Sequence, residues 1–165
     1  MYKVTPARVR CWPSRHASPR RARAAPVFSS ASALPAGPGR CYRPVILVVD
    51  DDRDARVVYG GYLRAMGCEV FVAQDGAVAI EKATSVWPDV IVMDLAMPRV
   101  DGWAATARLK ESSWTRGIPI VALSAIETAG ESARAAGCDA FIAKPCLPEL
   151  LWWHVRRFLK DEPRQ

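Results

Sequence analysis

Residues 45–52, VILVVDDD, decide the fold of this chain, because an unbroken apolar run ends there in three consecutive aspartates. A short, mostly β-branched run without alternating polar residues is typical of a strand that is buried on both faces of a sheet. Apolar residues then recur at helical spacing as far as Gly67, a residue type that ends helices. The stretch therefore predicts a buried strand over 45–49 and a helix over 53–66, which Asp52 caps at its N-terminus.

The alternation of strand and helix continues along the chain. Further strands are predicted over 69–73, 90–93, 118–123 and 140–143. Further helices are predicted from Asp75–Gly76, over 103–111, over 127–136 and from Pro148 to about Lys160. Five strands that alternate with five helices are typical of an α/β fold. We expect a doubly wound, five-stranded parallel sheet with helices on both faces and right-handed crossovers.

The composition excludes several classes of protein. Half of the 165 residues are hydrophobic and 24% are charged, which is ordinary for a globular domain. No apolar run approaches the roughly 18 residues of a membrane-spanning helix, so an integral membrane protein is excluded. The five cysteines are scattered without a C-x-x-C pair, and only two histidines occur, which argues against a disulfide framework and a zinc site. Such cysteine usage is typical of a reducing compartment, so we expect a cytoplasmic protein.

The net charge of +6 comes from the first 43 residues and not from the predicted domain. Residues 1–43 have nine basic side chains and no acidic one, whereas the remaining 122 residues have 14 basic and 17 acidic side chains. Six prolines and an Arg-, Ala- and Ser-rich composition predict that this segment is a disordered tail. Four interpretations of it stay open: a solvated tail, translated sequence upstream of the true start, an organellar targeting segment, or a basic arm for nucleic acid or anionic lipid. We place the domain at 44–160 and a short C-terminal tail at 161–165.

Polar side chains follow four of the predicted strands at the point where each strand ends. Aspartates occupy 50–52 after the first strand, Asp94 follows the third, Ser124 the fourth and Lys144 the fifth. In an open doubly wound sheet the carboxyl ends of the strands form the ligand-binding edge, so we expect these groups to converge. Clustered carboxylates attract a hard divalent cation such as Mg²⁺, and a lysine and a hydroxyl bind phosphoryl oxygens. A carboxylate can itself attack phosphorus and form an aspartyl phosphate.

The motifs at these strand ends, taken in chain order, resemble those of response-regulator receiver domains. They are VVDDD at 48–52, VIVMDLAMP at 90–98, DG at 101–102, VALSA at 121–125 and KP at 144–145. The resemblance covers residues 44–160 and implies the flavodoxin-like fold of a single-domain, chemotaxis-regulator-like receiver. It also implies a phosphorylation-dependent switch in a two-component or phosphorelay pathway. The partner that donates the phosphoryl group is then a histidine kinase or a histidine phosphotransfer protein.

The resemblance assigns roles to individual residues of the acidic cluster. Asp94 lies at the phosphoacceptor position, which is also a metal-ligand position in the family. Asp51 lies at the position of a direct metal ligand, and Asp50 at that of a companion acid that holds the metal through water. The backbone carbonyl of Ala96 lies at the position of the third protein ligand. The implied cofactor is therefore Mg²⁺.

Three further residues have implied roles in phosphoryl transfer and switching. Ser124 matches the hydroxyl that turns toward the phosphoryl group, and Lys144 matches the lysine that pairs with the acceptor and then with its phosphoryl oxygens. Together with Asp94 they form the implied catalytic set. Phe141 lies at the position of the switch aromatic residue, which moves inward when the hydroxyl moves.

The last predicted helix offers a candidate partner-binding surface. One arc of this helix, at about 100° per residue, is expected to face the sheet and contains Leu151, Trp152, Val155, Phe158 and Leu159. Trp153 falls outside this arc with Leu150 nearby on the same outer side, so these two side chains are a candidate docking surface for a downstream protein. His154 is expected to be a partly exposed helix residue.

Three alternative functions differ in class from a phosphorylated switch. A pseudo-receiver is a binding module that is never phosphorylated, which the intact acidic cluster disfavours. An aspartyl-phosphate phosphatase of the haloacid dehalogenase type needs an acid two residues after its nucleophile, where this chain has Ala96. A nucleic-acid binder would act through residues 1–43, with a steep salt dependence. We expect no dedicated enzyme activity beyond Mg²⁺-dependent self-phosphorylation and autodephosphorylation, and we expect output through protein–protein contacts.

Overall fold

The computed structural model describes residues 42–97 and 101–159, together with the backbone of residues 10–11. The strands are β1 (Arg10–Cys11), β2 (Val45–Val49), β3 (Glu69–Ala73), β4 (Val90–Asp94), β5 (Ile120–Ser124) and β6 (Ala140–Ala143). The helices are α1 (Arg53–Ala65), α2 (Gly76–Val86), α3 (Gly102–Glu111), α4 (Gly130–Ala135) and α5 (Pro148–Val155). The predicted C-terminal tail at 161–165 and most of the predicted tail at 1–43 lie outside the described residues.

The described strands form one sheet in the order β1-β6-β5-β4-β2-β3. Strands β2 to β6 pair in parallel, which confirms the predicted doubly wound sheet of five parallel strands. Strand β1 pairs antiparallel with β6, with Arg10 opposite Phe141 and Cys11 opposite Ala140. These two residues belong to the predicted tail at 1–43, and the open edge of a sheet presents N–H and C=O groups with which an extended segment can pair.

Two apolar layers cover the two faces of the sheet. Successive residues of a strand point to opposite faces, so Leu47 and Val49 of β2 belong to one layer, whereas Ile46 and Val48 belong to the other. Helices α2, α3 and α4 pack on the first layer, and α1 and α5 pack on the second. Every residue of β4 and β5 is buried, which explains why these segments have no alternating pattern in the sequence.

Aspartates cap three of the helices at their N-termini. The Asp52 carboxylate accepts a hydrogen bond from the Asp54 N–H at 3.0 Å, which confirms the predicted cap of α1. Asp75 accepts from the Val78 N–H at 2.9 Å at the start of α2, and Asp101 accepts from the Ala104 N–H at 2.7 Å at the start of α3. These caps satisfy backbone donors that a helix leaves unpaired, and they begin each helix close to a strand end.

Two predicted elements differ from the observed ones in the second half of the sheet. The strand predicted over 118–123 begins at Ile120, because Pro119 has no N–H to donate to a neighbouring strand. The helix predicted over 127–136 is divided into a 3₁₀ turn at Glu127–Ala129 and the short helix α4. Neither part has a side-chain cap, and Gly130 at the junction has low helix propensity.

The last helix is shorter than predicted. Helix α5 ends at Val155, and the chain continues to Leu159 in turns whose hydrogen bonds join residues three apart, such as Phe158 N–H to Val155 O at 3.0 Å. The buried arc of α5 contains Leu151 and Val155, as predicted, while Trp152 is only half-buried. The buried face of α5 is therefore rotated relative to the prediction, away from Trp152.

The rotation buries His154, so the prediction of a partly exposed histidine is wrong. Its side chain has 0% exposure, and both ring nitrogens lack a hydrogen-bond partner within the described part of the chain. The ring packs edge-to-face against Trp153, with centroids 4.9 Å apart. Burial lowers the pKa of His154, and the positive charge of Arg157 lowers it further. The imidazole is therefore neutral in the folded protein near neutral pH.

This burial predicts that the fold loses stability when the pH falls below about 6.5, the ordinary pKa of histidine. The unfolded chain binds a proton at His154 below that pH, whereas the folded chain does not until the pH reaches its lower pKa. The free energy of unfolding of the wild type should drop by about 1 kcal/mol more than that of His154→Leu between about pH 7.5 and about pH 5.5. Urea titrations of both proteins measure this difference. Equal drops in the two proteins would contradict the prediction.

Candidate functional site

The carboxyl ends of four parallel strands meet at one rim of the sheet, as the sequence predicted. Asp94 pairs with Leu123 in the register of β4 and β5, and Ser124 follows at the next position. The Lys144 N–H donates to the Ser124 carbonyl at 2.8 Å, which places the end of β6 beside the end of β5. Asp50 directly follows β2, the neighbour of β4 on the other side.

Lys144 lies between two buried carboxylates. Its Nζ atom is 2.8 Å from Asp50 Oδ2 and 2.8 Å from Asp94 Oδ2, while Asp50 and Asp94 are 1% and 4% exposed. Burial alone would lower the pKa of Lys144, but its hydrogen bonds to the two carboxylates outweigh burial and raise that pKa above the ordinary value. Burial raises the pKa of Asp50, and the hydrogen bond from Lys144 opposes that rise. Lys144 is thus a fixed cation in contact with the acceptor candidate.

Asp50, Asp51 and Asp94 form an acidic cluster, with one carboxylate oxygen from each within 4.8 Å of the others. Asp50 Oδ1 accepts from the Asp52 N–H at 2.9 Å, and Asp94 Oδ1 accepts from the Ala96 N–H at 3.0 Å. The Asp51 side chain is exposed and has no hydrogen-bond partner in the described ranges. Three converging carboxylates, one of them with free oxygens, fit a hard divalent cation that prefers oxygen ligands. Ala96, the predicted carbonyl ligand, is exposed beside this cluster.

The two predicted switch residues occupy different surroundings. Ser124 is 1% exposed, and its hydroxyl oxygen accepts from the Ile126 N–H at 3.1 Å, so it holds the loop after β5. Phe141 in β6 lies opposite Ala122 of β5. Its side chain is buried in the apolar layer under α2, α3 and α4. The structure therefore brings Ser124 to the rim and places Phe141 in the core, three residues before Lys144.

Gly102 packs directly against the backbone at the end of β4. A Cβ atom at this position would collide with the Asp94 carbonyl oxygen and would lie 2.7 Å from Leu95 Cα. Glycine is therefore required where α3 begins, because any side chain would push α3 away from the end of β4. The DG motif marked this position in the sequence, but the reason for the glycine is visible only in the packing.

Two residues of α1 that the sequence analysis did not single out also reach the rim. Arg56 Nη1 donates to the carbonyl oxygens of Asp50, at 2.7 Å, and Asp51, at 3.0 Å. The Tyr59 hydroxyl donates to the Cys146 carbonyl at 3.1 Å. No sequence signal distinguished them, since Tyr59 is one of several apolar residues at helical spacing in this segment and Arg56 belongs to none of the rim motifs.

The candidate partner surface lies at the start of α5. Leu147, Glu149, Leu150 and Trp153 line an open groove there. Trp153 is 43% exposed and Leu147 is 71% exposed, while Leu150 is half-buried against the core. The Arg157 guanidinium lies over the Trp153 ring at 4.9 Å from its centroid, which is a cation–π contact. The groove is thus apolar with charged groups at its border.

Residues 46–156 match the family model described as "Response regulator receiver domain". The chain belongs to the response regulator receiver family. This confirms the resemblance carried by the rim motifs, and the matched range runs from the second residue of β2 to the residue after α5 and contains the whole rim.

Similar proteins include one curated relative and two solved receiver structures. The chain is 32% identical over 108 residues to Protein PilG of Pseudomonas aeruginosa, covering 64% of this chain and 80% of PilG. The structure of the chemotaxis response regulator CheY4 of Vibrio cholerae superposes with a TM-score of 0.68 at 29% identity, over 72% of this chain and 100% of CheY4. The receiver domain of the sensor histidine kinase PA1611 of P. aeruginosa, solved with a magnesium ion in its active-site cleft, has a TM-score of 0.65 at 30% identity, over 71% of this chain and 98% of that domain.

As a receiver, the chain is a phosphorylation-dependent response-regulator switch of two-component signalling. Receivers of this family act with histidine kinases and downstream targets. None of the helices in the described part of this receiver has the length and apolar content needed to cross a bilayer.

Proposed function

We propose that Asp94 accepts the phosphoryl group from a phosphohistidine of a histidine kinase or a histidine phosphotransfer protein. An oxygen of the Asp94 carboxylate attacks phosphorus, the new O–P bond forms, and the P–N bond to the donor histidine breaks. The contact that carries this proposal is the 2.8 Å hydrogen bond from Lys144 Nζ to Asp94 Oδ2 at the end of a buried strand. After transfer, the ammonium of Lys144 and the hydroxyl of Ser124 bind phosphoryl oxygens, which such donors stabilise well.

Asp50, Asp51, Asp94 and the Ala96 carbonyl are the proposed ligands of Mg²⁺. The acidic cluster supports this assignment, as does the magnesium ion in the PA1611 receiver. When bound, Mg²⁺ supplies positive charge that offsets the charge of the carboxylates and of the phosphoryl oxygens. Asp50 is already held by Lys144 and the Asp52 N–H, so the exposed Asp51 carboxylate is the group best able to bind the cation directly.

The proposed output passes through Ser124 and Phe141 to the surface of α5. When the Ser124 hydroxyl turns to the phosphoryl group, it no longer accepts from the Ile126 N–H, so the loop after β5 is released. Phe141 lies in the layer under α4 and can repack when that loop moves. The groove with Trp153 and Leu150 is the proposed docking surface for a downstream protein, because clustered apolar side chains at a surface favour protein contacts.

Incubation with Mg²⁺ and the small phosphodonor phosphoramidate tests this function. We expect one alkali-labile acyl phosphate per chain, located at Asp94 by peptide mapping after reductive trapping. Absence of an acyl phosphate, while Mg²⁺ still binds, would overturn the proposal and favour a pseudo-receiver. A phosphoryl group on any other aspartate would overturn the assignment of Asp94.

Mg²⁺ binding without phosphate is expected to depend on Asp51. Asp51→Ala removes the exposed carboxylate of the cluster and should weaken Mg²⁺ binding by about tenfold or more. It should also raise the melting temperature of the metal-free protein, because repulsion between carboxylates is relieved. Titration calorimetry measures the affinity, and Asp54→Ala, which removes the same charge from the exposed first turn of α1, is the matched control. Equal losses in the two variants would show that net charge matters rather than ligation.

A further inference from the structure

Two side chains on one face of α1 hold backbone groups on either side of the rim. Arg56 and Tyr59 are three residues apart, a spacing that places side chains side by side on a helix. Arg56 Nη1 donates to the carbonyls of Asp50 and Asp51, in the turn that carries the acidic cluster. The Tyr59 hydroxyl donates to the carbonyl of Cys146, two residues beyond Lys144.

The Tyr59 contact is buried and specific. Tyr59 is 7% exposed and Cys146 is 8% exposed, so both groups are shielded from water. Removing the Tyr59 hydroxyl would therefore leave the buried Cys146 carbonyl without this hydrogen-bond donor. Burial raises the pKa of the Tyr59 phenol, which keeps its proton available for donation. The Cys146 thiol donates to the carbonyl of the adjacent Leu147 at 3.3 Å, so this second hydrogen bond stays within the loop and leaves the Tyr59 hydroxyl as the donor from α1.

This loop determines where Lys144 stands. Between Lys144 and Cys146 lies only Pro145, whose ring restricts the backbone, so a shift of the Cys146 carbonyl is transmitted to Lys144. On its other side, the Lys144 N–H is held by the Ser124 carbonyl at 2.8 Å. The Lys144 ammonium must meet Asp50 and Asp94 together, and both distances are 2.8 Å. Small movements of the loop would break this double contact.

We propose that Arg56 and Tyr59 form a clamp on α1 that positions the two halves of the phosphorylation site. Arg56 positions the acidic turn, and therefore the metal ligands. Tyr59 positions the loop of Lys144, and therefore the cation that receives the phosphoryl oxygens. Neither side chain is a catalytic residue, because neither touches the reacting carboxylate of Asp94. The clamp rests on the proposed function of Asp94 as the phosphoacceptor.

The two halves of the clamp have different expected effects, which a pair of variants separates. Tyr59→Phe should lower the maximum rate of phosphorylation by phosphoramidate about tenfold and leave the Mg²⁺ affinity within about twofold. Arg56→Gln should weaken Mg²⁺ binding about tenfold, through the displaced acidic turn. Tyr62→Phe removes a hydroxyl from the same helix without touching Cys146, and it should match the wild type in both measurements. Urea unfolding of each variant shows that the fold is retained.

Each result supports or overturns the clamp. A Tyr59→Phe variant with the rate of Tyr62→Phe would overturn the role of Tyr59. Parallel losses of rate and Mg²⁺ affinity in both variants would overturn the division of roles and indicate a general structural effect. If the wild type takes up no phosphoryl group, the proposed function fails, but two measurements still test the clamp. Mg²⁺ titration of Arg56→Gln tests the position of the acidic turn. The NMR signal of the Lys144 ammonium tests the role of Tyr59, since it should shift in Tyr59→Phe and stay unchanged in Tyr62→Phe.

Discussion

Asp94→Asn should abolish phosphorylation of this receiver, with a rate lower by about 10³-fold or more. The substitution keeps the size and planar shape of the side chain but replaces a nucleophilic carboxylate with an amide. The amide also loses the charge that attracts Lys144, whose ammonium would then pair with Asp50 alone. The measurement is the incorporation of phosphoryl groups from phosphoramidate under saturating Mg²⁺.

Asp75→Asn is the matched control for this prediction. It makes the same chemical change at the N-cap of α2, where asparagine caps as well as aspartate, and it should be phosphorylated at the wild-type rate. The assignment of Asp94 is wrong if Asp94→Asn accepts phosphoryl groups at the rate of this control. Transfer of the group to Asp51 in the variant would equally contradict it.

The phosphorylated form should be long-lived for a receiver, with a lifetime nearer hours than seconds. Spontaneous loss of the phosphoryl group needs a water molecule in line with the phosphorus on Asp94. The positions from which a side chain can orient that water, two residues beyond Asp94 and two beyond Ser124, hold Ala96 and Ile126. Neither side chain can form a hydrogen bond. Ile126 is also bulky, and we expect its side chain, which is 55% exposed, to shield the phosphoryl group from water.

Polar side chains at these two positions should accelerate dephosphorylation. Ala96→Asn combined with Ile126→Glu provides groups that orient and activate water, and the decay should become about 10²-fold faster. Ala96→Val combined with Ile126→Val alters the same positions without adding polar atoms and should decay as slowly as the wild type. The decay of labelled phosphoprotein is followed for all three proteins under identical Mg²⁺. A wild-type half-life of seconds, or equal decay in the polar variant, would refute the argument.

Short, mostly apolar strands were predictable from the sequence. The strands at 45–49, 69–73 and 140–143 have the predicted bounds, because a polar residue directly follows each of these mostly apolar runs. The convergence of the rim residues was predictable as well, since the strands of a parallel sheet have their carboxyl ends at one edge. Helix α4 was less predictable, because six residues with little apolar content leave the balance between α and 3₁₀ turns to the surrounding packing.

Contacts between distant backbone and side-chain atoms could not be predicted in the same way. The Tyr59 hydroxyl and the Cys146 carbonyl are separated by 87 positions in sequence, and every residue type has a carbonyl. His154 was misassigned because one histidine next to a tryptophan gives no pattern from which the rotation of a helix can be derived. In both cases the contact depends on how segments distant in the chain pack together, and local periodicity does not determine that packing.

The close fit of Gly102 against the end of β4 means that the surroundings of Asp94 differ in stiffness: the loop after β5 is more easily displaced, whereas the start of α3 is rigid. Backbone meets backbone there, with Leu95 Cα and the Asp94 carbonyl against the start of α3, so that side resists compression. In the loop after β5, by contrast, the Ile126 N–H is bound by the Ser124 hydroxyl, and the loop leads into a 3₁₀ turn without a side-chain cap. If Asp94 is the acceptor, as proposed, we expect the added phosphoryl group to meet rigid backbone at α3 and a more easily displaced loop after β5. Phosphorylation should therefore displace this loop and α4, while α3 stays in place.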